Sequence, residues 1–173
     1  MDLSAINPIL LIASLMVAAT PILLAAIGEL VVEKSGVLNL GVEGMMIIGA
    51  VAGFATAVES GSPWLGFAAS AVSGAVFSLL FVLLTQVAKA NQVASGLALT
   101  LTGLGLSALL GQSYVGIKPP QMGKVDIPLL SDLPVVGPIL FGHDPILYIG
   151  IALTAGVWAM LKYSRAGLVL RAV

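Results

Sequence analysis

Apolar residues dominate four long runs of the chain, at 8–27, 63–88, 92–111 and 145–163. Each is close to the twenty or so residues that a bilayer-crossing helix needs, so each predicts a span. Pro21 lies inside the first run, where its missing N–H predicts a kink. The N-terminus lacks the positive leader of a secretory signal, so the first run reads as a retained span. A fifth apolar run, 44–58, holds only fifteen residues. At 1.5 Å per residue it rises roughly 22 Å, short of a hydrocarbon core of about 30 Å. Extending it back to Gly36 supplies the length but draws Asn39 and Glu43 into the membrane. The stretch VVEKSGVLNLGVEGMM (31–46) is therefore expected to be partly embedded. The pattern predicts an all-α polytopic transmembrane helix bundle of about five spans, with an irregular or broken second span.

The polar residues inside this frame are the ones that need a reason. Asn39 and Glu43 lie four apart, so a helix through them would carry both on one face. A charged side chain within a span costs at least ~2.5 kcal/mol, and unwound backbone at that depth is tolerated only against protein or a water-filled cavity. Broken helices of this kind present polar groups to a solute in many transporters. The competing reading puts Glu43 at the interface, in the first turn of the next helix, where the dipole favours a carboxylate. Asn91, Gln92, Thr100 and Thr102 divide in the same way. Asn91 fits a helix cap and the threonines fit bonds back to their own helix, or some of the four face a solute path. Ser73, Gly74, Gly96, Gly103 and Gly105 are small residues of the kind that let helix backbones approach in lipid.

Composition and charge narrow the class. Hydrophobic residues make up 59% of the 173 and charged residues 9%. Mean hydropathy is +1.12. So little charge cannot cover a water-facing surface, and the solvent is the lipid bilayer. A net charge of −1 gives no basic excess for nucleic acid. No cysteine is present, which excludes disulfides and thiolate chemistry, and the one histidine, His143, sits in a Pro-rich loop. No phosphate-binding loop, HExxH or GxSxG occurs, so the sequence supports neither catalysis nor a cofactor, and any motor belongs to another chain. Lys34, Lys89, Lys162, Arg165 and Arg171 follow the first, third and fifth spans, which puts those ends on the cytoplasmic side. The N-terminus is then external, with residue 173 cytoplasmic. The Pro-rich loop 112–144 is external too, either a docking surface or a simple lid.

Three segments carry a family resemblance. GELVVEKSGVLNLGVEGMMIIGA (28–50) resembles the signature of permease subunits in ABC importers for nucleosides and simple sugars, a group that includes branched-chain amino acid and ribose permeases. NQVASGLALTLTGLGLS (91–107) is similar to a helix start of that family. SRAGLVLRAV (164–173) is similar to the run before its cytoplasmic coupling segment. Family members are about twice this long, so residues 1–173 look like the N-terminal half of one permease domain. The resemblance implies a second permease subunit in a heterodimer, two cytoplasmic ATP-binding subunits and an extracytoplasmic solute-binding protein delivering a small-molecule solute in the cell membrane. It marks Glu29, Glu33, Gly36, Gly41, Gly44 and Gly96 as signature positions. Asn39, Glu43, Asn91, Gln92 and Thr100 become expected pathway or gate residues. Lys162, Arg165, Gly167 and Arg171, within 162–173, become the ATPase-side approach. The rival expectation is a self-contained secondary transporter or channel with Glu43 as an ion or proton site.

Overall fold

The computed structural model describes residues 7–125 and 141–172. The centre of the long loop, 126–140, the extreme N-terminus with Asp2, and Val173 lie outside the described residues. Among those described, five helices are long and apolar enough to cross a membrane and no strand occurs. The fold is a helical membrane bundle.

Helix α1 runs Pro8–Lys34, with Pro21 inside it. Asn7 opens it, its side-chain oxygen accepting the Ile9 N–H at 3.0 Å, and Pro8 needs no donor at the first helical position. The helix continues beyond the apolar run that ends at residue 27, because Glu29, Leu30, Glu33 and Lys34 are all good helix formers. Gly36 stops it. Its φ of +78° closes a left-handed cap, in which Gly36 N–H donates to Glu33 C=O at 3.0 Å and Val37 N–H to Val32 C=O at 3.3 Å. Those two bonds are the Schellman pair that satisfies the last carbonyls of a helix.

Helix α2 spans Val42–Ser60 and α3 spans Pro63–Val82. A π-helical turn, Leu83–Val87, prolongs α3. Helix α4 runs Gln92–Gly111 and ends in a 3₁₀ turn, Gln112–Tyr114. Helix α5 covers Pro145–Tyr163 and α6 covers Arg165–Ala172. The expected irregularity of the second span takes the form of a separate connector, residues 35–41, leading into a regular α2.

Contacts group the chain into two compact units, Glu29–Gln121 in one, and Met1–Gly28 with Met122–Ala172 in the other. In the first, α2 packs against both α3 and α4 through backbone. A Cβ on Gly103 would lie 2.7 Å from Gly44 Cα, and one on Gly44 would lie 2.6 Å from Leu99 O. On the other side of α2, Gly53 meets Gly66 O at 2.8 Å by the same measure. Lipid supplies little hydrophobic drive between helices, so this close approach and its dispersion contacts hold them together. Phe77, Phe81 and Leu99 form the buried cluster, with Val37, Met45 and Ile48 packed on it. At the far end of α2 and α4, Tyr114 donates a hydrogen bond to Glu59.

In the second unit, Gly150 of α5 faces Thr20, Leu23 and Leu24 of α1. Val125 N–H donates to His143 C=O at 3.0 Å, so the two flanks of the loop meet at its base. Ser164 caps α6 by accepting the Gly167 N–H at 3.0 Å. A Cβ on Gly167 would sit 2.5 Å from Leu161 Cα, so α6 folds back tightly on the end of α5. Lys162 lies 4.9 Å above the Trp158 ring.

Gly105, two residues after Gly103, has open space around its Cα. The paired substitutions are therefore expected to differ. Gly103→Leu forces α2 and α4 apart and should destabilise the protein by about 1–3 kcal/mol or more. Gly105→Leu should be close to neutral. Thermal unfolding in detergent, followed by loss of the monodisperse peak, compares the two.

Candidate functional site

The connector 35–41 is non-helical backbone set among spanning helices. Lipid offers no partner for its N–H and C=O groups, so each must be satisfied by protein. Three side chains from two other elements do this. Glu29 of α1 accepts the Asn39 N–H at 3.3 Å. Gln92, the first residue of α4, accepts the Leu38 N–H at 2.8 Å. Thr100, further along α4, donates its hydroxyl to the Leu40 carbonyl at 3.1 Å. Asn39 completes the set from within, its side-chain oxygen accepting the Gly41 N–H at 3.0 Å. Met45 N–H then donates to Gly41 C=O at 3.1 Å, starting α2.

Depth follows from these partners. Leu38 lies level with Gln92, Gly41 with Gly96, and Gly44 with Leu99 and Thr100. The connector thus runs along the first two turns of α4, roughly 12 Å from Gln92 to Thr100. Gly96 makes room for it: a Cβ there would stand 2.9 Å from the Leu40 and Gly41 nitrogens. On the other side Val37 and Met45 pack on the buried cluster of Phe77, Phe81 and Leu99.

The expected pathway residues separate on this geometry. Asn39, Gln92 and Thr100 come together at the connector. Asn39 precedes α2 and is only 7% exposed, so it shares no helix face with Glu43. Glu43 is exposed in the first turn of α2, where the positive end of the helix dipole favours it. Asn91 caps α4, its side-chain oxygen accepting the Ala94 N–H at 3.1 Å. Thr102 donates back to Ala98 C=O at 2.7 Å, within its own helix. Of the signature positions, Glu29 holds the connector, Gly36 ends α1, and Gly41, Gly44 and Gly96 give close approach. Glu33 is exposed, and its carbonyl serves the α1 cap. Lys162, Arg165, Gly167 and Arg171 gather at the α5–α6 corner, with Arg171 Nε donating to Gly167 C=O at 3.2 Å.

Beside the connector lies a groove of about 430 Å³. Its apolar wall includes Val37, Met45, Phe81 and Val82, and its polar residues are Asn39, Ser78, Thr85 and Gln86. The last two belong to the π-helical turn and went unmarked in the sequence. Their only signal was a Thr–Gln pair in an otherwise apolar helix end. Thr85 is buried and donates to Phe81 C=O at 2.8 Å. Among the described residues no buried side-chain nitrogen or oxygen lacks a partner, and no group of acidic, histidine or cysteine side chains could hold a metal.

Comparison with known proteins agrees with this architecture. The chain is 39% identical over 160 residues to a putative glucose ABC transporter permease of Haloferax volcanii, covering 90% of this chain and 49% of that protein. It is 34% identical over 187 residues to a guanosine ABC transporter permease of Bacillus subtilis, covering 100% of this chain and 58% of the relative. A nucleoside ABC transporter permease of Lactococcus lactis is 34% identical over 176 residues, with 95% and 55% covered. The chain thus spans about half the length of the curated relatives it matches. No solved structure matches it. Residues 11–173 match the family described as the permease component of branched-chain amino acid transport systems, and the chain belongs to that family.

Proposed function

We propose that this chain is part of a transmembrane permease subunit of an ABC importer, moving a nucleoside or a simple sugar across the cell membrane by alternating access. The observation that carries the reading is the connector: irregular backbone about two turns deep along α4, held by side chains from α1 and α4. Non-helical backbone at such depth is tolerated against protein or a water-filled cavity, and many transporters use it to present polar groups to a solute. Similarity to guanosine, nucleoside and glucose permeases supports the solute class.

In this reading the permease works as a heterodimer with a second permease subunit. ATP-binding subunits on separate chains dock at the α5–α6 corner, and the solute arrives from an extracytoplasmic binding protein. Residues 1–173 belong to a single permease domain as its N-terminal half, with loop 112–144 external and 162–173 approaching the coupling segment. The N-terminus is external and the basic helix ends are cytoplasmic, in keeping with Lys34, Lys89 and Lys162. Asn39, Gln92 and Thr100 shape the pathway wall, Asn91 fixes the start of α4, and Glu43 is the carboxylate left exposed toward the path.

Two variants separate these roles in the full-length complex. Glu43→Ala is expected to lower ATP-driven uptake of radiolabelled uridine or glucose while leaving assembly intact; unchanged uptake removes Glu43 from the path. Gln92→Leu strands the Leu38 N–H and should cost about 1–3 kcal/mol, read as lower thermal stability and a lower yield of assembled complex. Uptake by the permease without ATP would replace the importer by a self-contained transporter.

A third variant addresses the ATPase side. Gly167→Val pushes α6 off α5, so recovery of the ATP-binding subunits with the tagged permease is expected to fall several-fold. Undiminished recovery would move the ATPase contact away from this corner.

A further inference from the structure

We infer that the groove beside the connector is a docking subsite for the transported solute, and that its occupant is an uncharged molecule bearing hydroxyl or amide groups. Asn39 and Gln86 are its hydrogen-bonding residues. The inference rests on the permease reading above and adds to it a location, a solute charge and a residue on the π-helical turn.

Three observations carry it. Asn39 is buried, its side-chain oxygen is used by Gly41 N–H, and its amide nitrogen meets only the Met45 sulfur at 3.7 Å. A thioether is a weak acceptor, so a strong donor is left at the groove edge. Gln86, exposed on the turn Leu83–Val87, spends its side-chain amide on no described residue. Single π-helical turns are frequent at functional sites, and this one, at the end of α3, carries Thr85 and Gln86, both in the groove lining.

The third observation is the lining itself. No charged side chain contributes to it, and its volume of about 430 Å³ falls within the range of small-molecule sites. A zwitterionic amino acid would bring an ammonium and a carboxylate against neutral walls, with no counter-charge to offset their desolvation. An uncharged solute has no such cost. Its flat or apolar face fits Phe81, Val37 and Met45, and its polar edge meets the two amides.

The absence of cysteine from residues 1–173 makes a direct test available. Gln86→Cys is introduced into an otherwise cysteine-free full-length permease, assembled with its ATP-binding and solute-binding partners in proteoliposomes. Alkylation by N-ethylmaleimide is followed with uridine, glucose or leucine present. Val87→Cys, at a position 71% exposed and outside the lining, reports non-specific effects. At ten times its dissociation constant, the transported solute should slow alkylation at position 86 about tenfold. It should leave position 87 unchanged, and leucine should protect neither.

Equal rates at position 86 with and without the transported solute overturn the inference, as does protection by leucine. In a second variant, Val82→Trp, the indole fills the groove from its wall and should abolish uptake in a complex that still assembles. Full uptake by that variant also overturns it, leaving a groove covered by lipid or by another protein segment. ATP-driven uptake of leucine alone would sink the uncharged solute but spare the importer. A wild-type complex that accumulates none of the three with ATP sinks the permease reading beneath it.

Discussion

Backbone amides and carbonyls that leave helical geometry inside a bilayer have nothing but protein to bond to. The unit Glu29–Gln121 is organised around that requirement. Seven residues, 35–41, abandon the helix, and the side chains of Glu29, Asn39, Gln92 and Thr100 bond to four of their backbone groups. Each such group would otherwise cost several kcal/mol in hydrocarbon. The need for these partners explains why a carboxylate, two amides and a hydroxyl stand among apolar residues. It also explains where α4 begins: its first turns must extend beyond α2 to supply Gln92 and Gly96 to the connector.

Helix contact and connector satisfaction are therefore one arrangement. Gly44 and Gly103 bring α2 and α4 to backbone contact, and that approach puts Thr100 within reach of the Leu40 carbonyl. On the opposite side Val37 and Met45 pack on the buried cluster of Phe77, Phe81 and Leu99. The glycines and the polar side chains are not separate features with separate functions. Without the close approach the hydrogen bonds would not span, and without the hydrogen bonds the connector could not lie where the glycines admit it.

Much of this was legible in the chain. Run lengths against bilayer thickness located all five spans and showed that the second needed residues before Gly44. The signature segments pointed to the family now supported over residues 11–173. Two things resisted. Gln92 and Thr100 are 54 and 60 residues from the connector groups they serve, and no local pattern announces such a pairing. Asn39 therefore read as one face of a helix shared with Glu43, when it closes a turn before that helix. Gly103 and Gly105 looked equivalent as small residues because the face that meets α2 is a property of the packed pair. The π-helical turn was hidden for a further reason: it differs from α-helix by one hydrogen-bond register, to which hydropathy is blind.

The Schellman cap at Gly36 and the backbone contact at Gly44 have a joint consequence for how this region can vary. One marks where the first helix stops and the other marks which residue meets α4, so the number of residues between them is itself constrained. Adding or removing a single residue there would turn α2 by about 100° relative to α4. Glu43 or Met45 would then arrive where only a hydrogen atom fits. Loops in most proteins absorb insertions and deletions; this one counts.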